Sequence, residues 1–308
     1  MWFGETLIAI STLLALLSYG DWMLCKAAPA PISKTINVNP SGQPGSYPTI
    51  QGAIDAGVPI NNTQWILIQV APGFYRNTTI VASDATYTLL NATLIAEAND
   101  FMAKHLTFKN TYNHQADGSM IRPAVAALVG GDRNSFYDCG FIGVQDTLYD
   151  RMGRHLFKNC YIEGSVDFIF GDATTSFENC NIEVNAAGVI TAQNRISQDE
   201  GTGFVFKLGS VSGVGPTTLG RAYGPYSRVL YYKVQLSNNV APEGWDAWNY
   251  KGHENDLTYA EEDCTGPGAD TSRRVPWEKK LNNEELQRLI GPSFFNGDGW
   301  VEKQPNIP

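Results

Sequence analysis

Asp146 and Asp167 hold equivalent places in two successive copies of a short repeat. The copies read Phe136-Tyr137-Asp138-Cys139-Gly140-Phe141-Ile142 and Phe157-Lys158-Asn159-Cys160-Tyr161-Ile162, and a third follows as Phe177-Glu178-Asn179-Cys180-Asn181-Ile182. The cysteines are 21 and then 20 residues apart, and each aspartate lies seven residues after its cysteine. If each copy is one coil of a β-solenoid, equal offsets stack on one face. The two carboxylates then stand roughly 5 Å apart, the spacing of neighbouring strands. Like charges that close resist joint ionisation, so one of them keeps its proton. One carboxylic acid beside one carboxylate is a working pair for acyl transfer or for glycosidic chemistry.

A period of about 20 residues is itself a repeat-architecture signal. Further copies are read as Phe108-Lys109-Asn110-Thr111 and Phe206-Lys207-Leu208-Gly209, with loop insertions between them. The flanking segments at Trp65–Val70, 124–129, 204–208 and 229–236 have strand-like apolar patterns. The expected fold is all-β, a right-handed parallel β-helix solenoid whose ladders of like side chains are buried between coils. Two short helices are expected to cap the stack. One, over residues 48–56, has Pro48 near its start, and the other runs from Asn283 as cap to Gly291.

The chain has 308 residues, 43% of them hydrophobic, with 30 glycines and 16 prolines. That balance suits one large β-rich domain with many turns. Residues Leu7 to Tyr19 form an apolar run too short to span a bilayer. The run reads as the core of a signal peptide over residues 1–28, ending near Ala27-Ala28, although its start carries Glu5 and no Lys or Arg. Residues 29–308 then form a single domain with no membrane contact after cleavage. Asn61, Asn77 and Asn91 are glycosylation acceptors, as a secreted glycoprotein would carry. Loss of Cys25 leaves four cysteines, with Cys139 and Cys160 either bonded or free buried thiols. The formal charge of −9 speaks against nucleic acid as a partner and disfavours a fully ionised polyanion. A neutral polymer, or an acidic one masked as an ester, is tolerated better.

The blocks Gly143-Val144-Gln145-Asp146-Thr147-Leu148-Tyr149 and Gly164-Ser165-Val166-Asp167-Phe168-Ile169-Phe170-Gly171 carry a resemblance. So do Thr191-Ala192-Gln193, Leu219-Gly220-Arg221-Ala222-Tyr223, Pro242-Glu243-Gly244-Trp245 and Gly266-Pro267-Gly268-Ala269. In this order, from about Ile36 to Trp300, the sequence resembles the pectin methylesterases (pectinesterases), particularly the plant forms. The resemblance implies a right-handed parallel β-helix. It also implies hydrolysis of galacturonate methyl esters in pectin, with release of methanol and with no metal or cofactor. Secretion to the cell wall or apoplast, a monomer, and a proteinaceous pectinesterase inhibitor as a further partner belong to the same expectation. No inhibitory pro-domain is expected ahead of the enzyme-like region.

Within that resemblance Asp167 takes the role of nucleophile and Asp146 that of general acid and then base. Arg221 is expected to hold Asp167 ionised and aimed, and Gln145 to donate to the oxyanion. Tyr223 and Trp245 are expected to stack on sugar rings, with Phe168 lining the site beside the nucleophile. Asp150 and Asp172 are the rival acids nearby, and His155 is read as a structural or surface side chain.

Three departures from the family pattern stand out. Pro123 occupies a position where the family usually has an oxyanion-binding Gln, and proline offers neither a side-chain donor nor an N–H. Tyr223 and Ala222 stand for the Trp and Pro of the family's Leu-Gly-Arg-Pro-Trp block. The stretch from Ile80 to Asn91 is short by on the order of 20 residues, near one coil. The rival readings are a polygalacturonase, a pectate lyase, and a catalytically impaired pectin-binding wall protein. Pro123 and the short stretch speak for the last of these.

Overall fold

The computed structural model describes residues 30–39, 41–59, 63–71, 92–112 and 122–306, together with the backbone of Thr6–Ile10. Its strands pair overwhelmingly in parallel and stack coil upon coil into a parallel β-helix. One sheet runs through Phe101–Lys104, Asn134–Tyr137, Arg154–Lys158, Thr174–Glu178, Gly203–Lys207, Arg228–Tyr232 and Thr258–Glu262. The other runs through Leu94–Ala96, Ala127–Val129, Leu148–Asp150, Tyr161–Gly171, Asn181–Gln193, Ser210–Gly213 and Gln235–Leu236.

The repeat is explained by the corner between these sheets. Phe136, Phe157, Phe177, Phe206 and Tyr231 are in register on successive strands. Their rings stack with centroids 4.4–5.0 Å apart along the solenoid interior. Burying each such ring contributes roughly 1.5–3 kcal/mol, and no coil achieves that burial alone. Two residues later the chain must turn. Asp138, Asn159 and Asn179 take φ of 52°, 55° and 53° there. Asn and Asp tolerate this left-handed conformation better than other side-chain-bearing residues. The corner side chains also form a ladder. Asn159 Nδ2 donates to Asp138 at 3.2 Å, and Asn179 Nδ2 donates to Asn159 at 2.9 Å. The cysteine that follows points inward. Cys139, Cys160 and Cys180 are buried free thiols, so the unbonded alternative holds.

Phe108 is not a copy of Phe136. Phe108 pairs with Phe141 on a different strand, while Ala103 lies opposite Phe136 and His105 makes the left-handed corner. The motif matched by residue type and missed by register.

The helix at Ile50–Gly57 is capped by Thr49, whose hydroxyl accepts from Gly52 N. The C-terminal helix spans Asn283–Ile290, and its cap is Asn282, one residue earlier than expected, in a reciprocal pair with Glu285. Its Leu286, Leu289 and Ile290 pack on Val205, Leu230 and Ala260, so this helix covers the outer face of the first sheet. Thr6–Ile10 forms a strand paired antiparallel with both Trp65–Val70 and Phe101–Lys104. The rest of the expected leader, the short stretch at Ile80–Asn91 and all three glycosylation acceptors lie outside the described residues. Among the described residues no helix is long and apolar enough to cross a membrane.

Candidate active site

Asp146 and Asp167 meet because their coils are in register. Gln145 pairs with Val166 and Leu148 with Ile169, which sets Asp146 opposite Asp167. Both aspartates have left-handed backbones, with φ of 60° and 49°. The strand Tyr161–Gly171 is irregular on either side of Val166, with shifts of register from Gly164 to Ile169. Non-glycine residues in this region concentrate at functional sites, where the surrounding fold holds them in place. Here the bend turns two acids toward one face of the solenoid.

Arg221 ends the strand Thr217–Arg221, two strands further along the stack. Its Nε donates to Asp167 Oδ1 at 2.8 Å and its terminal Nη2 donates to Oδ2, a two-pronged fork. Asp167 is 6% exposed. Burial raises its pKa, and the Arg221 hydrogen bonds and charge oppose that rise. Asp146 has no such fork. Burial, with the Asp167 charge adding to it, pushes Asp146 up to about 7, while Arg221 only tempers the shift. The pair therefore titrates unequally. Asp167 loses its proton first, and Asp146 stays protonated into the neutral range.

Gln145 and Pro123 flank the pair. Pro123 bridges to Gln145, which in turn bridges to Val166. The Pro123 position thus stands one coil before Gln145 with no donor to offer, leaving Gln145 as the side-chain donor of that row. Ala222 is fully buried and Tyr223 is 50% exposed, as a residue available to a polymer would be.

Two expected groove residues are placed elsewhere. Phe168 is 0% and Trp245 1% exposed, and both belong to the interior core. Phe168 folds beneath its own strand, into space that a Cβ on Gly164 would occupy at 2.3 Å from the Phe168 Cβ. Trp245 is packed between Tyr231 and Tyr259. The aromatic surface beside the aspartates comes instead from Tyr149 and Phe170. These half-buried rings stack at 4.4 Å and 2°. They lie three residues after Asp146 and Asp167, so the equal-offset logic that finds the acids also finds them. Trp248 was the other omission, and its ring lies 4.1 Å from the Arg221 guanidinium.

The rival polar residues separate cleanly. Asp150 and His155 are fully buried behind the site. His155 Nδ1 meets Asp150 at 2.5 Å, His155 Nε2 donates to the Gly131 carbonyl at 2.7 Å, and Thr175 donates to Asp150 at 2.5 Å. This knot ties three coils together and is closed off from solvent. Asp172 is half-buried, accepts from Thr202 at 2.7 Å, and is raised to about 6, chiefly by burial. A cavity of about 550 Å³ bordered by Trp65, Arg133, Asp298 and Trp300 shares no residue with the aspartate site.

A parallel β-helix with an acid and a carboxylate on adjacent coils suits acyl transfer or glycosidic chemistry on a polysaccharide. The chain belongs to the pectinesterase family, whose profile, described as Pectinesterase, matches residues 51–298. It is 42% identical to probable pectinesterase 29 of Arabidopsis thaliana, over 87% of this chain and 89% of that protein. It is 41% identical to probable pectinesterase 55 of the same plant, over 87% of this chain and 90% of that protein. Among solved structures, the pectin methylesterase from carrot superposes with a TM-score of 0.79 at 28% identity, covering 91% of this chain and 99% of that one. The Aspergillus niger pectin methylesterase superposes with a TM-score of 0.73 at 26% identity, covering 90% and 98%. The protein is accordingly a carboxylic ester hydrolase.

Proposed function

We propose that this pectinesterase hydrolyses galacturonate methyl esters in pectin with Asp167 as nucleophile and Asp146 as the proton carrier. The observation that carries the reading is the unequal pair: Asp167 forked by Arg221, and Asp146 raised to about 7 beside it. A carboxylate oxygen of Asp167 attacks the ester carbonyl carbon, and the carbonyl oxygen takes the negative charge. The Gln145 amide is placed to donate to that oxyanion. As the tetrahedral species collapses, the C–OCH3 bond breaks and Asp146 gives its proton to the departing methoxide, so that methanol leaves. The acyl group is then joined to Asp167 as an anhydride. Water attacks it, Asp146 takes the proton back, and Asp167 is released as a carboxylate with the galacturonate acid.

Tyr149 and Phe170, three residues after the aspartates, and Tyr223, two after Arg221, offer aromatic faces that suit the apolar faces of pyranose rings. Esterified pectin is also the form of the polymer that a chain of net charge −9 repels least. The relatives' pectin chemistry and the apolar leader-like run support secretion to the plant cell wall, and the net charge of −9 favours a monomer there. The test is product analysis on highly methylated pectin. The reading expects methanol without new reducing ends and without unsaturated ends. Reducing ends would indicate a glycoside hydrolase, unsaturated ends a lyase, and binding with no product at all a non-catalytic wall protein.

A further inference from the structure

Arg221 reaches Asp167 across an intervening coil. Its strand pairs with Asn181–Gln193, which in turn pairs with the strand of Asp167. A long, flexible side chain held out over two strand spacings loses much rotamer freedom, and the fork works only while it is held flat. Its backbone offers little help, since Ala222 leaves φ unconstrained after it.

A support is present on the other side of the guanidinium. The Trp248 ring lies 4.1 Å from Arg221 Cζ. Trp248 is half-buried and has a left-handed backbone with φ of 47°. That conformation is a true outlier for a bulky residue and calls for a reason. It is held by the Trp248 N–H, which donates to Asp246 Oδ1 at 2.8 Å. Asp246 is itself the register partner of Arg221 on the next strand. The Tyr223 ring closes the stack at 5.5 Å from Trp248, and Tyr250 donates its hydroxyl to the Tyr223 carbonyl at 3.3 Å.

We propose that Trp248 is a positioning residue for the esterase reaction: its ring is the shelf that keeps the Arg221 fork flat on Asp167. The proposal rests on Asp167 being the nucleophile. Through Arg221, Trp248 sets how readily the Asp167 carboxylate forms and how it is aimed. The charged and titratable groups facing this assembly are Asp146, Asp246 and the hydroxyls of Tyr223, Tyr250 and Tyr259 besides Arg221 itself. Loosening the fork leaves Asp167 with burial and without full compensation. Its proton is then lost at higher pH, and the acid side of the rate profile moves up.

The experiment compares Trp248→Leu with Trp248→Phe on methylated pectin, by methanol release against pH. Leucine fills space with no π face, whereas phenylalanine retains one. The expected result is a kcat about tenfold lower for the leucine variant, the size of a cation–π contact near a dry site. Its acidic limb in kcat/KM rises by roughly one pH unit, the equivalent of that tenfold loss. Trp248→Phe should restore kcat to within about threefold of the parent. Equal damage in both variants would reduce Trp248 to a packing role and overturn the proposal. So would a change confined to KM, which means sugar stacking alone. Trp248→Ala with a melting curve checks that lost rate is not lost fold. Asp167→Asn in the same series separates the two levels. If that variant keeps full activity, the nucleophile assignment falls. If it is dead while Trp248→Leu behaves as the parent, only the role of Trp248 falls.

Discussion

Arg221 forks onto Asp167 and not onto Asp146, although the two aspartates lie opposite one another on adjacent coils with similar left-handed backbones. One cation, placed asymmetrically, makes two equivalent positions electrostatically unequal. The repeat supplies the pair, and the break in symmetry supplies the chemistry.

The first consequence is a pH profile. In the proposed mechanism acylation needs Asp167 ionised and Asp146 protonated. Asp146 releases its proton at about pH 7, so kcat/KM should fall as pH rises through that value. The acidic limb belongs to Asp167. Initial rates of methanol release from pH 4 to 9 at constant ionic strength check this, and a rate still climbing at pH 9 would exclude Asp146 as the acid.

Removing the Asp146 carboxyl should raise stability at high pH even as it abolishes activity. Its pKa is raised in the folded state, from 3.8 to about 7. A raised carboxyl is bound to its proton more tightly when folded, so it costs no stability at low pH. The penalty appears as pH rises from near the unfolded value through the folded one. Asp146→Asn removes the charge, and the variant should melt about 3 °C higher than the parent at pH 8. The two should coincide near pH 3.5. A variant less stable at pH 8 would mean that the Asp146 carboxylate is well paired in the fold.

Pro123 predicts a gain of function. It stands one coil before Gln145, the proposed oxyanion donor. A missing oxyanion donor typically costs 100-fold or more. A glutamine added without evolved support recovers only part of that, so Pro123→Gln should raise kcat by about tenfold. Gln145→Ala should lower kcat by about 100-fold. Both changes should leave KM nearly unaltered, because the oxyanion exists only after attack.

Tyr149 and Phe170 should govern affinity. Their rings stack on each other three residues along the chain from Asp146 and Asp167. Phe170→Ala should raise KM for long pectin chains by about fivefold, the size of one aromatic contact. Phe168→Ala is a control of a different kind. Emptying a fully buried ring site should cost about 3–5 kcal/mol of stability, read by denaturant unfolding. Equal KM effects in the two variants would contradict the assignment of faces.

The adjacency of Asp146 and Asp167 was legible in the sequence because a solenoid repeats position by position, so equal offsets become neighbours, whereas Arg221 and Gln145 were reached only through the family motifs. The Phe ladder and the cysteines were legible for the same reason. Phe168 and Trp245 were misplaced because which face a strand residue takes depends on alternation. Register shifts between Gly164 and Ile169 break that alternation beside Asp167. Trp245 lies in a strand of two residues, too short to show any period. Phe108 was assigned to the wrong row because coils vary in length, and a shared motif does not fix register. Trp248 escaped notice because its contact with Arg221 is formed by a short 3-10 turn over Trp248–Tyr250 that no local pattern announces.

The most direct measurement is methanol release from highly methylated pectin by the protein beside its Asp167→Asn variant, with both shown folded by melting curves. The account predicts steady release by the parent and a loss of at least about 1,000-fold in the variant, since the nucleophile itself is gone. Release by Asp167→Asn within tenfold of the parent would contradict it, because the ester would then be opened by a group other than the residue Arg221 grips.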